Sequence, residues 1–206
     1  MKAILAVVAV VVVAVAVYVV RSYMAIQRAV SGPAKELVSE SMERKGDTWY
    51  VDFVTKFDAP VDRVFAAFSQ PEKVIDNAPE NVLKSELVKS EGNVKTVNLV
   101  ARLDILPPGF KVQNIQFEYT LHPETKTITT RTIDFKLADM ASELKFAPGP
   151  EGDTTILTFH QTSKDKAPML VESLQKGALR EQYLITVRAV NRALGLSPAP
   201  QKAQAG

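Results

Sequence analysis

The chain has 206 residues, 46% of them hydrophobic, and a formal net charge of +2 with acidic and basic residues interspersed. That balance excludes a polybasic nucleic-acid-binding surface. The absence of cysteine excludes disulfides, thiolate metal sites and cysteine nucleophiles, and two histidines, His122 and His160, leave little for a transition-metal site.

Residues 3–20, AILAVVAVVVVAVAVYVV, carry no charge and are framed by Lys2 and Arg21. As a helix they would be about 27 Å long, close to a hydrocarbon core of about 30 Å, with Tyr18, Arg21 and Tyr23 as interfacial anchors. Residues 1–21 are therefore expected to be an uncleaved, single-pass signal anchor, and residues 22–46 a stalk. The alternative is a cleaved secretory signal. Lys2 supplies a basic start and Ala14-Val15-Ala16 a small-x-small site, but the apolar run continues through Val20. A count of basic residues, with Arg21, Arg28 and Lys35 on the C-terminal side, would keep the following domain in the cytoplasm. The short tail with one Lys is also how an exported anchor begins, and a membrane location with an extracytoplasmic domain is the expectation. Gly32-Pro33 interrupts the stalk, and the charged stretch Ala34–Lys45 reads as a short exposed helix.

From residue 47 the pattern becomes ordered. Trp49, Val51, Phe53, Thr55 and Phe57 alternate with Tyr50, Asp52, Val54 and Lys56, a half-buried strand. Asp58-Ala59-Pro60 then opens a helix whose Val61, Val64, Phe65 and Phe68 make one apolar stripe. Gln70-Pro71 stops it, and a second short helix spans about 71–76. Six further strands are predicted at 82–90, 94–105, 111–121, 126–137, 140–147 and 154–163, separated by turns such as Glu91-Gly92-Asn93, Pro107-Pro108-Gly109, His122-Pro123-Glu124 and Pro148-Gly149-Pro150. Val97, Leu99, Ala101 and Leu103 share one face, as do Ile115, Phe117, Tyr119 and Leu121, and Ile133, Phe135 and Leu137. Pro168 to about Leu194 reads as one long helix, and residues 197–206 as a disordered tail. The short turns make neighbouring strands antiparallel. The long helix is the one element large enough to cover the apolar face of a curved sheet. A rod laid across a concave sheet leaves space beneath it, and an internal cavity is expected there.

The strand ending Phe57-Asp58-Ala59-Pro60, the helix Val61-Asp62-Arg63-Val64-Phe65-Ala66-Ala67-Phe68, the following Pro71-Glu72 and the long terminal helix resemble the START/polyketide-cyclase (SRPBCC) superfamily. The resemblance covers about 47–196. Where many relatives carry a Trp after the second helix, this chain has Asn77-Ala78-Pro79. The resemblance implies an α+β helix-grip fold: a curved, antiparallel, seven-stranded sheet wrapped around a long C-terminal helix, here preceded by the transmembrane helix. It also implies a hydrophobic ligand, such as a lipid, sterol, quinone or polyketide, held under the long helix. It carries no common catalytic motif.

The chain has no nucleophile elbow, metal-binding His pair, phosphate-cradling Gly loop or dinucleotide fingerprint. No cofactor is expected. The expected ligand-lining set is Leu99, Leu103, Phe117 and Phe135 on strands, Leu106 and Phe110 flanking the Pro107-Pro108-Gly109 turn, the hydroxyls of Tyr119 and Tyr183, and Val187 on the helix. Leu106 and Phe110 are read as a cavity gate, against the plainer reading that they cap the core. Arg131 shares parity with Ile133 and Phe135 and is read as inward, where its planar guanidinium could hold a ligand carboxylate or phosphate; the plainer reading is a head group snorkelling to water. His160 lies on a strand face shared with Ile156, Thr158 and Thr162, and would need an acid partner for proton transfer. The favoured function is a membrane-tethered binding or transfer protein for a hydrophobic small molecule. The alternatives are a cyclase- or hydrolase-like enzyme using Arg131, His160 or a Tyr in the same cavity, and a non-catalytic interaction domain.

Overall fold

In the computed structural model, which describes residue 24 and residues 34–106, 109–166 and 171–197, the alternation at Trp49 becomes a strand second from one edge of the sheet. Strands β1 (Leu37–Lys45), β2 (Thr48–Phe57), β3 (Val82–Glu91), β4 (Val94–Arg102), β5 (Val112–His122), β6 (Thr127–Asp134), β7 (Ala138–Pro148) and β8 (Thr155–Asp165) form one antiparallel sheet in the order β1-β2-β8-β7-β6-β5-β4-β3. Helix α1 (Val61–Phe68), a 3-10 turn (Pro71–Lys73) and α2 (Val74–Asn77) link β2 to β3, and α3 (Glu172–Ala193) follows β8. The fold is the expected α+β helix-grip, with one correction: the sheet has eight strands.

The additional strand is β1, in the segment read from its charges as an exposed helix. Its side chains are mostly exposed, so alternation is faint. What makes it a strand is tertiary: it pairs along the length of β2, from Leu37 opposite Thr55 to Lys45 opposite Thr48. The residues read as the membrane anchor lie outside the described residues. Among the described residues, no helix is long and apolar enough to cross a membrane.

Pro60, with φ −61° and ψ 149°, is the N-cap of α1, and Asp62 lies in its first turn, where a carboxylate favours the positive end of the helix dipole. Val64, Phe65 and Phe68 turn inward and pack on Phe57 and Phe146. The main core gathers Trp49, Val51, Phe53 and Phe57 of β2, Leu157 and Phe159 of β8, and Tyr183, Leu184, Val187 and Val190 of α3. Tyr183 sits 4.8 Å from the Phe53 ring and 4.7 Å from Phe159. Its hydroxyl shares a 2.7 Å hydrogen bond with the buried Thr55 hydroxyl. Both sheet edges carry charge pairs. On β3, Lys84–Glu86 and Lys89–Glu91 accompany register shifts at Leu83 and Val88, devices that discourage edge pairing with another chain.

Strand β1 is also tied to α3. Arg180 Nε donates to Glu40 at 2.7 Å, Arg188 Nε to Glu36 at 2.9 Å, and Arg188 Nη1 to Glu181 at 3.2 Å. One guanidinium thus serves two carboxylates with opposite outcomes. Burial pushes the Glu36 carboxyl up, but the hydrogen bond and charge of Arg188 outweigh it and hold Glu36 below its ordinary 4.5. At Glu181 burial wins and the carboxyl is raised above 4.5. The depressed Glu36 contributes stability that is complete above pH 4.5 and is lost as pH falls through its folded-state pKa. The raised Glu181 subtracts stability above its folded-state pKa, and that penalty disappears as pH falls toward 4.5. At pH 7, Glu36→Gln is therefore expected to lower unfolding free energy by about 1 kcal/mol after solvent screening. Glu181→Gln is expected to raise it. Urea melts at pH 7 and pH 4 check both signs; destabilisation by Glu181→Gln at pH 7 would contradict the assignment.

Candidate functional site

A cavity of about 490 Å³ lies between the inner face of the sheet and the C-terminal half of α3. Its walls are largely apolar. Val97, Leu99 and Ala101 come from β4, Ile115 and Phe117 from β5, Leu144 and Phe159 from β7 and β8, and Ile185, Ala189 and Val190 from α3. The mouth is framed by Arg63 and Ala66 of α1, Gln70 and Lys73 of the next turn, and Ala193 at the end of α3. Of these, Arg63, Ala66, Lys73 and Ala193 are exposed, which places the opening on this side. A smaller hollow of about 70 Å³ lies under the N-terminal half of α3, with Leu103, Ile115 and Gln182 bordering both.

The strand pattern explains why these side chains meet. Leu99, Leu103, Phe117 and Tyr119 share the inward parity of β4, its following residue and β5, and all four line the main cavity, as does Tyr183 from α3. Phe135 and Leu106 border the smaller hollow. Val187 is fully buried in the main core and borders neither hollow.

The proposed gate is corrected. Leu106 is 3% exposed and packs with Ala78, Val82, Leu103 and Ala189, and Phe110 packs on the same cluster. The connection is folded inward by the Leu103 N–H donating to the Lys111 carbonyl at 2.8 Å, and by Gln113 Nε2 donating to the Phe110 carbonyl. Both side chains cap the core, and the mouth lies elsewhere.

Arg131 is corrected as well. Phe117 pairs with Thr132 and Gln116 with Asp134, so Ile133 is an extra residue in β6. A bulge reverses parity along a strand. Phe135 is inward after it, while Arg131 before it points out, where its Nε donates to Glu118 at 2.7 Å. The Glu118 hydrogen bond holds the guanidinium above its ordinary pKa and holds the Glu118 carboxyl below the usual range.

His160 also faces outward, since Leu157, Phe159 and Gln161 take the inner face of β8. Its Nδ1 meets Asp52 Oδ1 across the β2–β8 ladder. Asp52, Arg131, Glu143 and His160 border a shallow groove of about 590 Å³ on the outer face, open to solvent and opposite the cavity. Among the described residues no cluster of His, Asp or Glu is arranged to hold a metal ion.

Within the cavity, burial and then the nearby Glu72 charge push the Tyr119 hydroxyl up to about 12, and burial raises Tyr183 further. Both are neutral hydroxyls at physiological pH, able to donate or accept a hydrogen bond but not to act as phenolate bases. The exposed part of Tyr119 faces the cavity. Sequence reasoning missed Thr130, Ser142, Gln161 and Thr186, which also line the cavity. The signal was present in the parity of Leu144 with Ser142 and of Phe159 with Gln161, but polar residues in strands read by default as solvent-facing.

A family model described as polyketide cyclase/dehydrase and lipid transport matches residues 48–189. No curated protein matches the sequence. Among solved structures, the ZhuI aromatase/cyclase from Streptomyces sp. R1128 is 14% identical with a TM-score of 0.56, covering 71% of this chain and 96% of its own. A START superfamily protein from Mycobacterium smegmatis is 12% identical with a TM-score of 0.58, covering 72% and 99%. Norcoclaurine synthase from Thalictrum flavum is 13% identical with a TM-score of 0.57, covering 80% and 100%. At these identities the likeness is one of fold. The span of the family match, joined to the eight-stranded sheet and the cavity under its terminal helix, establishes that this chain belongs to the polyketide cyclase/dehydrase and lipid transport family.

Proposed function

We propose that this protein binds a hydrophobic small molecule in the cavity under α3, and that residues 3–20 hold it at a membrane. The observation that carries the binding reading is an interior, mostly apolar cavity of about 490 Å³ with a mouth of its own. A ligand burying on the order of 300 Å² of apolar surface would gain roughly 7 kcal/mol before ordering costs. The tether is supported by the eighteen-residue uncharged run and its flanking Lys2 and Arg21. It would raise the effective concentration of a membrane-resident ligand at the mouth. An enzymatic route through Arg131 or His160 loses its basis, because both lie on the opposite face of the sheet from the cavity.

The full chain, extracted from membranes with an amphipathic polymer, is expected to yield an apolar organic molecule on solvent extraction and mass spectrometry. It is also expected to bind a fluorescent fatty-acid probe at about one per chain. Absence of both overturns the binding reading. Deleting residues 3–20 is expected to move the protein from alkali-washed membranes to the soluble fraction; retention in the membrane overturns the tether. A reporter active on one side only, fused after Gly206, reads the side, and cytoplasmic activity would reverse the expectation of export.

A further inference from the structure

The cavity floor is not uniformly apolar. On the inner face of the sheet, Tyr119 of β5 lies opposite Thr130 of β6, Thr130 opposite Ser142 of β7, and Ser142 opposite Gln161 of β8. Four polar side chains therefore form one unbroken cross-strand row, spaced at the strand separation of about 4.8 Å. All four line the cavity. The neighbouring row on one side, Leu121, Ile128, Leu144 and Phe159, is entirely apolar. On the other side stands Phe117, and the adjacent Thr132 hydroxyl is already occupied, accepting from the Met140 N–H at 2.9 Å. Thr132 and Ser163 of that next row do not border the main cavity, so within it the row is a polar stripe one residue wide. Its continuation on β4 is Lys95, opposite Tyr119, whose ammonium is committed at the rim to the Ser69 carbonyl at 2.9 Å and to Glu72.

The row's own hydrogen bonds are incomplete. The Thr130 and Ser142 hydroxyls share one bond of 2.7 Å, which leaves one O–H of the pair free to donate. Gln161 Nε2 reaches only the Met140 sulfur, at 3.7 Å, and its amide oxygen has no partner among the described residues. Neither has the Tyr119 hydroxyl, which remains neutral and able to donate. The four side chains are half-buried and these atoms face the cavity, where water or a ligand can reach them. Three such groups aligned on an otherwise apolar floor are complementary to a molecule that brings oxygens to them, and a ligand that displaced their water without replacing its hydrogen bonds would lose affinity.

We propose that this row is the specificity determinant of the cavity: it selects a rigid, largely apolar molecule bearing hydroxyl or keto oxygens at two or more points along its length, in preference to a plain acyl chain. An acyl chain offers one polar end and would leave most of the row unpaired. A molecule with spaced oxygens satisfies it while its hydrocarbon frame packs on Leu99, Phe117 and Leu144. The inference rests on the cavity being a ligand site.

The test compares bisphenol A with 2,2-diphenylpropane, two molecules of the same frame with and without hydroxyls, by competition against the fluorescent fatty-acid probe on the full chain in polymer-bounded discs. The wild type is expected to bind bisphenol A at least tenfold more tightly. Each net hydrogen bond is worth roughly a three- to tenfold change. The triple variant Thr130→Val, Ser142→Ala, Gln161→Leu is expected to bring the two compounds within threefold while keeping diphenylpropane affinity. Tyr119→Phe, which removes one hydroxyl without changing shape, supplies a second variant if the triple one fails to fold, and is expected to narrow the gap by at least threefold. Equal binding of the two compounds by the wild type, or a gap unchanged in the variants, overturns the polar-row assignment while leaving hydrophobic binding intact. A wild type that binds neither compound nor the probe overturns the ligand-site reading itself, and the row assignment with it.

Discussion

Phe53→Ala is expected to lower the unfolding free energy by about 3–5 kcal/mol, the range for removing a buried aromatic ring. Phe53 has no exposed surface and stands between two other rings, Phe159 at 6.0 Å and Tyr183 at 4.8 Å. Its strand is held by β1 on one side and β8 on the other, so the backbone has little freedom to collapse into the void. The loss also frees Tyr183, whose hydroxyl bond to Thr55 fixes one wall of the cavity. Domains of this size are stable by only about 5–15 kcal/mol, and 1 kcal/mol moves the melting temperature by roughly 2–4 °C. A fall of roughly 6–20 °C in a thermal melt followed by circular dichroism is expected. A change below about 1 kcal/mol would show that the core is not centred on this ring.

Thr186→Trp is expected to abolish ligand binding, weakening the fatty-acid probe by at least about thirtyfold, or roughly 2 kcal/mol. Thr186 is on the cavity side of α3 and half-buried, and its hydroxyl donates only to the Gln182 carbonyl of its own helix, at 3.3 Å. The substitution therefore removes no bond between elements, and Trp and Thr have similar helix propensities. The added indole projects into space a ligand would occupy, so binding falls while the melting temperature moves by a few degrees at most. Wild-type affinity in this variant would mean that the probe binds outside the cavity.

The fold was legible wherever one side of a strand meets the core. Trp49 to Phe57 alternates because β2 is covered on a single face, and the same holds for Ile115 to Tyr119. Legibility ended where parity depends on partners. Arg131 read as inward because Phe135 is inward, and nothing within β6 announces the extra residue at Ile133; that bulge exists through the register of β6 against β5. The charged run of β1 carries helix-compatible residues, and its extended form comes from pairing with β2 and from the Glu36 and Glu40 contacts to α3, more than 130 residues away in the chain. Within the cavity, the apolar walls could be inferred from alternation. The inward parity of Ser142 and Gln161 could be inferred the same way, but their alignment with Tyr119 and Thr130 into one row could not, since it emerges only when four strands are laid side by side.

The pairing of β2 with β8 joins the beginning of the domain to its end, with Asp52 opposite His160 at a separation of 108 residues. During synthesis at about 5–20 residues per second, β2 therefore waits roughly 5–20 s for its central neighbour to be made. Until then Trp49, Val51, Phe53 and Phe57 can be covered only by local helices and by β1, which supplies few buried side chains. That delay is set by topology, the sequence separation of the β2–β8 pairing, rather than by any turn. The nascent β2 is the segment that a chaperone would have the longest opportunity to hold.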